Sequence, residues 1–229
     1  MGYESPMPVQ EEVIPFLLGD DNDVIALAQT GTGKTAAFGL PILQKIDVTT
    51  YHPQALVLCP TRELCLQIAD DLNDYSKYID NLKVLPVYGG SSIESQIKTL
   101  KRGVHVVVAT PGRLLDLMNR KTVDLSLVKN VIMDEADEML NMGFTDSINA
   151  ILAEVPENRN MLLFSATMPK EIANITKKYM KNPKEIVIGN KNEGNKNIRD
   201  IYYMVQARDK YLALKRIADF YPNIYGIVF

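Results

Sequence analysis

The chain has 229 residues, of which 46% are hydrophobic and 23% are charged, and its formal net charge is −3 at pH 7. This length and apolar content suffice for one packed domain and part of a second. No apolar run approaches the ~20 residues that a membrane span requires. The N-terminus lacks the basic flank and apolar core of a signal peptide. We therefore expect a cytoplasmic protein without a membrane partner.

The net negative charge argues against broad electrostatic wrapping of nucleic acid, because domains that bind in that way are basic. Any nucleic-acid contact must be local, through a few side chains and helix N-termini. Two cysteines, Cys59 and Cys65, are too few for a disulfide framework. The two histidines, His52 and His105, have no Cys or His at ligand spacing, which argues against a zinc site.

A helical stretch begins near Val9, and apolar runs then alternate with segments of helical periodicity. The predicted strands span residues 23–27, 54–58, 83–87, 104–109, 130–133 and 160–164. The predicted helices span residues 34–46, 62–78, 92–101, 113–118 and 171–180. Near-continuous apolar runs such as residues 104–108 suit strands that are buried on both faces of a parallel sheet. The sequence therefore predicts an α/β fold with a mostly parallel central sheet and helices on both faces.

Polar loops follow most of these strands, at residues 29–35, 60–62, 110–113, 134–137 and 165–167. Ligands of open α/β sheets bind at the carboxyl ends of the strands. We therefore expect these loops to lie along one edge of the sheet and to form the functional site.

The first loop belongs to the stretch AQTGTGKT at residues 28–35, which lies between an apolar strand and a helix start. This is the pattern of a phosphate-binding P-loop, with Ala28 where the first glycine usually stands. Lys34 supplies a charge for the β- and γ-phosphates, and Thr35 supplies a hydroxyl for Mg²⁺. The alternative is an ordinary strand–helix turn. We predict a nucleotide site formed by Gln29, Thr30, Gly31, Thr32, Gly33, Lys34 and Thr35.

A second chemical motif is the run Asp134-Glu135-Ala136-Asp137, which follows the predicted strand 130–133. A carboxylate at the end of a buried strand is what Mg²⁺ bound to a P-loop nucleotide requires. We expect Asp134 to hold the metal and Glu135 to orient or deprotonate the water that attacks the γ-phosphate. A solvated acidic loop is the alternative, and the P-loop earlier in the chain disfavours it.

These residues resemble the DEAD-box RNA helicases of superfamily 2, whose motifs stand here in family order. The resemblance covers essentially the whole predicted first domain. The matching motifs are the Q motif (Gly2 and Tyr3 through Gln10), motif I (28–35), motif Ia (60–64), the GG motif (Gly89 and Gly90), motif Ib (110–113), motif II (134–137) and motif III (165–167).

The resemblance implies a RecA-like domain that binds ATP and Mg²⁺, with Lys34 and Glu135 as its catalytic residues. It implies that Gln10 selects adenine, with Tyr3 and Pro8 near the base. A glutamine amide carries the donor and acceptor needed to read the N6 and N7 edge of adenine.

The resemblance also implies contact with single-stranded or duplex RNA through its phosphate–sugar backbone. The implied RNA-binding residues are Pro60, Thr61, Arg62, Gly89, Gly90, Thr110, Pro111, Gly112 and Arg113. It further implies that Asp137, Ser165 and Thr167 couple the nucleotide site to RNA and to a second RecA-like domain.

Beyond the first domain, predicted at residues 1–189, a polar Gly/Asn-rich run predicts a linker at 190–197. Residues 198–229 are predicted to begin a second RecA-like domain, with strands at 200–205 and 224–229 and a helix at 210–220. The family's arginine fingers would then lie after Phe229. Because such an arginine contributes ~10³–10⁵ in rate, we expect the chain alone to bind ATP or ADP weakly, to hydrolyse ATP very slowly and not to unwind duplexes. We also expect a monomer.

Two other functions fit the same motifs. One is a DNA helicase or translocase of the same superfamily. The other is an ATP-gated RNA clamp or scaffold that does not separate strands. The intact Lys34, Thr35, Asp134 and Glu135 argue against a catalytically inactive relative.

Overall fold

The computed structural model describes residues 4–19, 22–188, 201–221 and 223–226. The chain divides into two compact units, Met1–Glu193 and Gly194–Phe229. The predicted linker at 190–197 lies outside the described residues, so the proposed domain boundaries stay predictions. In the part of the chain that the structure describes, no helix has the length and apolarity needed to cross a membrane.

The described part of the first unit contains one seven-stranded sheet, with the spatial order β3-β4-β2-β5-β6-β1-β7. Every neighbouring pair of strands is parallel. The strands are β1 (Val24–Leu27), β2 (Ala55–Leu58), β3 (Val84–Val87), β4 (Val106–Ala109), β5 (Asn130–Met133), β6 (Asn160–Ser165) and β7 (Lys184–Val187). The predicted parallel α/β fold is confirmed. Strand β7 was missed because only Ile186 of its four residues is buried, so it lacks an apolar run.

The helices agree with the predicted ones to within a few residues at most ends. Those of the first unit are α1 (Pro8–Gly19), α2 (Lys34–Lys45), α3 (Arg62–Tyr75), α4 (Ile93–Lys101), α5 (Pro111–Asn119), α6 (Ala136–Asn141), α7 (Thr145–Glu154) and α8 (Lys170–Tyr179). Sequence analysis missed α6 and α7. The spacing of Ile148, Ile151 and Leu152, which are buried on one face of α7, was a usable signal.

Two hydrophobic cores lie on opposite faces of the sheet, because successive strand residues point to opposite sides. Val24 and Ala26 of β1 face the core that contains residues of α1, α2 and α3. Ile25 and Leu27 face the core that contains residues of α5, α6, α7 and α8. Burial on both faces explains the near-continuous apolar runs in the sequence.

A buried carboxylate fixes the strand that leads into the P-loop. Asp23 is 5% exposed. One of its oxygens accepts a hydrogen bond from the Met161 N–H at 2.6 Å, and the other accepts one from the Lys181 N–H at 2.5 Å. Met161 belongs to β6 and Lys181 precedes β7, the two neighbours of β1. Asp23 therefore ties both neighbouring strands to the start of β1, the strand that leads into the P-loop.

The described part of the second unit contains a 3₁₀ turn at Ala207–Asp209 and helix α9 (Lys210–Phe220), at the position predicted. The predicted strand at 200–205 is wrong for its described residues 201–205, which form no strand. Its apolar side chains fit a strand, but a strand needs a paired neighbour, and none is present among the described residues of this unit. Residues 224–226 form no strand either, and 227–229 lie outside the described residues.

Candidate functional site

The sheet order places the predicted site loops along one edge in two adjacent groups. Loops that follow β3, β4 and β2 carry the predicted RNA-binding residues. Loops that follow β5, β6 and β1 carry motif II, motif III and the P-loop. The two groups meet where β2 pairs with β5.

The P-loop has the backbone shape of an anion-binding turn. Gly31 and Gly33 have φ values of 75° and 81°, in the left-handed region where glycine is favoured. Helix α2 begins at Lys34, and its N-cap Gly33 has no side chain with which to cap the helix. The Thr32 hydroxyl donates to the Gln29 carbonyl at 2.8 Å, and this hydrogen bond stabilises the turn. The first N–H groups of α2 can therefore bind an anionic oxygen.

The structure brings Lys34 and Asp134 together. The Lys34 Nζ lies 3.8 Å from Asp134 Oδ1, and the two side chains are 6% and 4% exposed. The same ammonium donates to the Ala28 carbonyl at 3.3 Å. The P-loop lysine and the motif II carboxylate thus share one buried position between the ends of β1 and β5.

Burial raises the pKa of Asp134 from its ordinary value of 3.8 to about 6. Lys34 acts in the opposite direction, while the negative charge of Glu135 raises the pKa further. Lys34 therefore compensates the buried carboxylate only partly, and a second cation beside Asp134 would lower its pKa further.

Within the described ranges, no group of three or more His, Cys, Asp and Glu side chains is placed to hold a metal. Mg²⁺ beside a nucleotide takes only one or two protein ligands and completes its shell with phosphates and water. The Asp134 carboxylate and the Thr35 hydroxyl fit that limited role.

Asp71 on α3 is a contact that sequence analysis missed. Burial, followed by the charges of Asp74 and Asp70, raises the pKa of Asp71, while hydrogen bonding from the neighbouring Thr35 side chain lowers it. A hydroxyl that donates its hydrogen to a carboxylate keeps its lone pairs for a cation. No motif marks Asp71 in the sequence, because it stands inside an ordinary amphipathic helix.

Glu135 has a backbone conformation that the sequence did not reveal. Its φ and ψ are both 50°, in the left-handed region, where a non-glycine residue is strained. It stands at the N-cap of α6, and its N–H donates to Asp134 Oδ1 at 3.0 Å. Such strain is common at functional sites and here fixes the direction in which the chain leaves β5.

Gln10 contacts the P-loop directly and is 5% exposed. Its Nε2 donates to the Gly33 carbonyl at 3.1 Å, and its Oε1 accepts from the Met7 N–H at 2.9 Å. A Cβ at Gly33 would lie 2.4 Å from the Gln10 Nε2, so any larger residue there would displace this amide from its present position. The amide retains one donor and one acceptor position, which is what adenine recognition needs. Pro8 begins α1 and is exposed, whereas Tyr3 lies outside the described residues.

Asp137 joins the other two predicted coupling residues, Ser165 and Thr167. The Asp137 N–H donates to the Ser165 hydroxyl at 3.3 Å. The N–H and hydroxyl of Thr167 donate to Asp137 Oδ2 at 3.0 and 2.8 Å. The Ser165 carbonyl accepts from the Ala28 N–H at 3.0 Å, so this network touches the P-loop.

Two helix N-termini and two arginines occupy the other half of the edge. Thr61, after Pro60, caps α3 by accepting from the Leu64 N–H at 3.2 Å. Thr110 precedes α5 and makes no side-chain cap, so the Gly112 and Arg113 N–H groups can face an anion. Of the remaining predicted RNA-binding residues, Arg62 and Pro111 begin α3 and α5, and Gly89 and Gly90 lie in the loop after β3.

The comparisons with known proteins agree with this geometry. Residues 7–175 match the model of the DEAD/DEAH box helicase family. The chain is 49% identical over its whole length to the ATP-dependent RNA helicase DeaD of Mycobacterium tuberculosis and spans 40% of that protein. It is 47% identical to the DEAD-box ATP-dependent RNA helicase CshA of Bacillus cereus and spans 43% of it.

A similar solved structure is the crystal structure of a DEAD box protein from the hyperthermophile Methanococcus jannaschii, with a TM-score of 0.78 and 43% identity. The match covers 95% of this chain and 58% of that one. The chain therefore spans less than half the length of the curated relatives it matches.

We predict that the Asp134 carboxyl titrates near pH 6 in the nucleotide-free protein, since burial raises its pKa to about 6. The pKa of Asp134 in the folded protein exceeds the ordinary value of 3.8, so the folded state holds this proton more tightly than the unfolded state does. The resulting stabilisation of the fold is fully present below pH 3.8 and is lost as the pH rises through about 6. Relative to Asp134→Asn, the free energy of unfolding should fall by about 1–3 kcal/mol across that window.

Carboxyl-detected NMR titration measures this midpoint. Lys34→Met, which removes the cation that lowers the pKa, should move the midpoint upward. An ordinary aspartate midpoint in both proteins would contradict the burial argument.

Proposed function

Because this chain belongs to the DEAD/DEAH box helicase family, we propose that it is the amino-terminal RecA-like part of an ATP-dependent RNA helicase. The observation that carries the proposal is the placement of the Lys34–Asp134 pair beside the P-loop, on the same sheet edge as the two arginine-bearing loops. Hydrolysis and RNA contact would then share one rigid scaffold.

In the proposed nucleotide complex, the triphosphate lies on the N-terminus of α2 and the adenine lies at Gln10. Lys34 turns toward the β- and γ-phosphate oxygens, as P-loop lysines do. Asp134 and the Thr35 hydroxyl would hold Mg²⁺, which neutralises charge on the phosphates when bound. Asp71 keeps the Thr35 hydroxyl oriented by accepting its hydrogen.

We propose that Glu135 orients the attacking water and accepts its proton. Three observations support this role. The backbone at Glu135 is held in a strained conformation, its N–H is tied to Asp134, and its side chain is only half-buried. A positioned carboxylate of this kind acts as a general base toward a water at the γ-phosphate.

RNA contact is proposed for the loops that follow β2, β3 and β4. Helix N-termini and two arginines bind phosphate without a basic surface, which reconciles the net charge of −3 with a nucleic-acid partner. Phosphate and sugar contacts carry no base sequence, and 2′-hydroxyl contacts would favour RNA over DNA.

The network of Asp137, Ser165 and Thr167 supports a coupling role, because it links motif II, the P-loop strand and the loop after β6. We propose that a second RecA-like domain of the same protein closes on this edge and supplies the missing transition-state charge. One chain then carries every element of the site, which supports a monomer. Two reduced, buried cysteines support a cytoplasmic location.

We predict that Gln10→Ala weakens ADP binding about tenfold while leaving GDP binding nearly unchanged, because a good bidentate base contact contributes about 1–3 kcal/mol of discrimination. Isothermal titration calorimetry with both nucleotides measures the ratio. Equal losses for ADP and GDP would instead assign Gln10 to supporting Gly33, with which it also bonds.

The function itself is tested by Glu135→Gln in the complete protein. RNA-stimulated ATP hydrolysis should fall by about 10²–10⁴-fold, the usual contribution of a general base, while nucleotide affinity changes little. Glu138→Gln is the matched control, because Glu138 is an exposed glutamate on the same helix. Retained turnover in Glu135→Gln would refute the role of Glu135.

Strand-displacement assays of the unmodified complete protein separate the alternatives. Displacement of RNA strands that depends on ATP is the expected result. Equal ATPase stimulation by matched RNA and DNA would favour a DNA helicase or translocase. Binding of RNA with ATP but without displacement would favour an ATP-gated clamp.

A further inference from the structure

A buried glutamine lies behind the RNA-facing loops and takes no part in the site described above. Gln96 is on α4 and is 6% exposed, the only residue of that helix classed as buried. Partly buried apolar residues of the same helix pack toward the core below it. A buried amide destabilises the fold unless its donors and acceptor are satisfied, so the contacts of Gln96 show what it holds in place.

The Gln96 amide bridges two of the predicted RNA-binding loops. Its Nε2 donates to the Tyr88 carbonyl at 3.1 Å and to the Ser91 hydroxyl at 2.6 Å. Its Oε1 accepts from Arg113 Nη1 at 3.1 Å. The same guanidinium nitrogen donates to the Ser91 carbonyl at 3.2 Å. One side chain therefore closes the turn that contains Gly89 and Gly90 and ties Arg113 to it.

The other arginine is held through the same turn. The Arg62 guanidinium lies 5.0 Å from the centroid of the Tyr88 ring, in a cation–π contact. Gly90 has a φ of 83°, and a Cβ there would lie 3.4 Å from Arg62 Nη1. Tyr88 thus supports Arg62 on its ring and is itself fixed at its carbonyl by Gln96.

The chemistry of the bridge suits a phosphate ligand. Both acceptors of Arg113 Nη1, Gln96 Oε1 and the Ser91 carbonyl, are neutral. The nearby Glu94 carboxylate accepts from the Ser92 hydroxyl at 2.9 Å, and although its charge also interacts with Arg113, it is exposed to solvent, which screens that interaction. A neutral amide orients the guanidinium without neutralising it, whereas a carboxylate at position 96 would compete with an incoming phosphate for the same charge.

We propose that Gln96 is a positioning residue of the RNA interface. It holds Arg113, and through Tyr88 also Arg62, so that their donors and the helix N-termini of α3 and α5 are arranged for one phosphate–sugar strand before RNA arrives. This inference rests on the proposed RNA-binding function. Preorganisation of this kind raises affinity because the arginines need not be ordered on binding.

The test is a double-mutant cycle in the complete protein, with binding of a fluorescent single-stranded RNA measured by anisotropy in the presence of a non-hydrolysable ATP analogue. Gln96→Leu keeps the side-chain volume and removes all three bonds. It should weaken RNA binding about tenfold, which corresponds to about 1.4 kcal/mol. The double variant with Arg113→Ala should bind more weakly than Arg113→Ala alone, but by clearly less than tenfold, because only the part of the Gln96 effect that passes through Tyr88 and Arg62 remains.

The dependence of RNA affinity on salt concentration distinguishes a residue that contacts phosphate directly, as proposed for Arg113, from one that only positions it, as proposed for Gln96. Arg113→Ala should reduce the slope of log affinity against log salt by about 1, since it removes a phosphate contact. Gln96→Leu should leave that slope unchanged, because the bound complex still contains the arginine. Thr99→Ala is the matched control: Thr99 is on the same helix, and its hydroxyl bonds only to the Ser95 carbonyl of that helix. It should alter neither quantity.

A second variant, Gln96→Glu, keeps the inference testable if Gln96→Leu does not fold. Gln96→Glu retains the shape and the acceptor for Arg113 but adds a negative charge and loses both donors, so RNA affinity should fall while ADP affinity stays unchanged. If both Gln96 variants bound RNA with unchanged affinity while Arg113→Ala bound it more weakly, the positioning role of Gln96 would be wrong and the proposed RNA interface would stand. Additive losses, or an equal loss of ADP affinity, would also overturn it. An unimpaired Arg113→Ala would instead contradict the proposed RNA interface.

Discussion

The contact between Lys34 and Asp134 is the constraint on which the rest of the site depends. It places an ammonium and a carboxylate 3.8 Å apart in a position that water hardly reaches. Removing two charges from water is unfavourable, and one ion pair at this distance compensates only partly, as the raised pKa of Asp134 indicates. The proposed ligand would supply the missing charges, with phosphate at the lysine and a cation at the carboxylate.

The order of the strands divides the edge of the sheet that carries this contact into two adjacent parts. The loops after β3, β4 and β2 carry the groups proposed to bind an RNA backbone. The loops after β5, β6 and β1 carry the groups proposed to bind a nucleotide. Backbone contacts join the halves: the Asp134 N–H bonds to the Leu58 carbonyl of β2 at 2.9 Å. Helix α3 adds a second link, since its first turn carries Arg62 and its later turn places Asp71 against Thr35.

The fold was predictable from sequence, since apolar runs that alternate with helical segments indicate a parallel α/β fold. The placement of the glycine-rich and acidic loops along one edge of the sheet was predictable for the same reason. The missed features have physical causes. Edge strand β7 buries one residue, so its pattern is too weak to read. Gln96 and Asp71 act from inside helices, where a polar residue looks like ordinary surface. The strain at Glu135 is conformational and leaves no trace in composition.

The most direct test of the account is a crystal structure of the chain with a non-hydrolysable ATP analogue and Mn²⁺, which is located by its anomalous scattering. The account predicts phosphate oxygens on the N–H groups of residues 31–35 and on Lys34 Nζ, with the metal beside Asp134 and Thr35. It would be contradicted if the triphosphate bound elsewhere, such as the 410 Å³ cavity lined by Lys45, Lys129 and Arg159 at the opposite end of the strands.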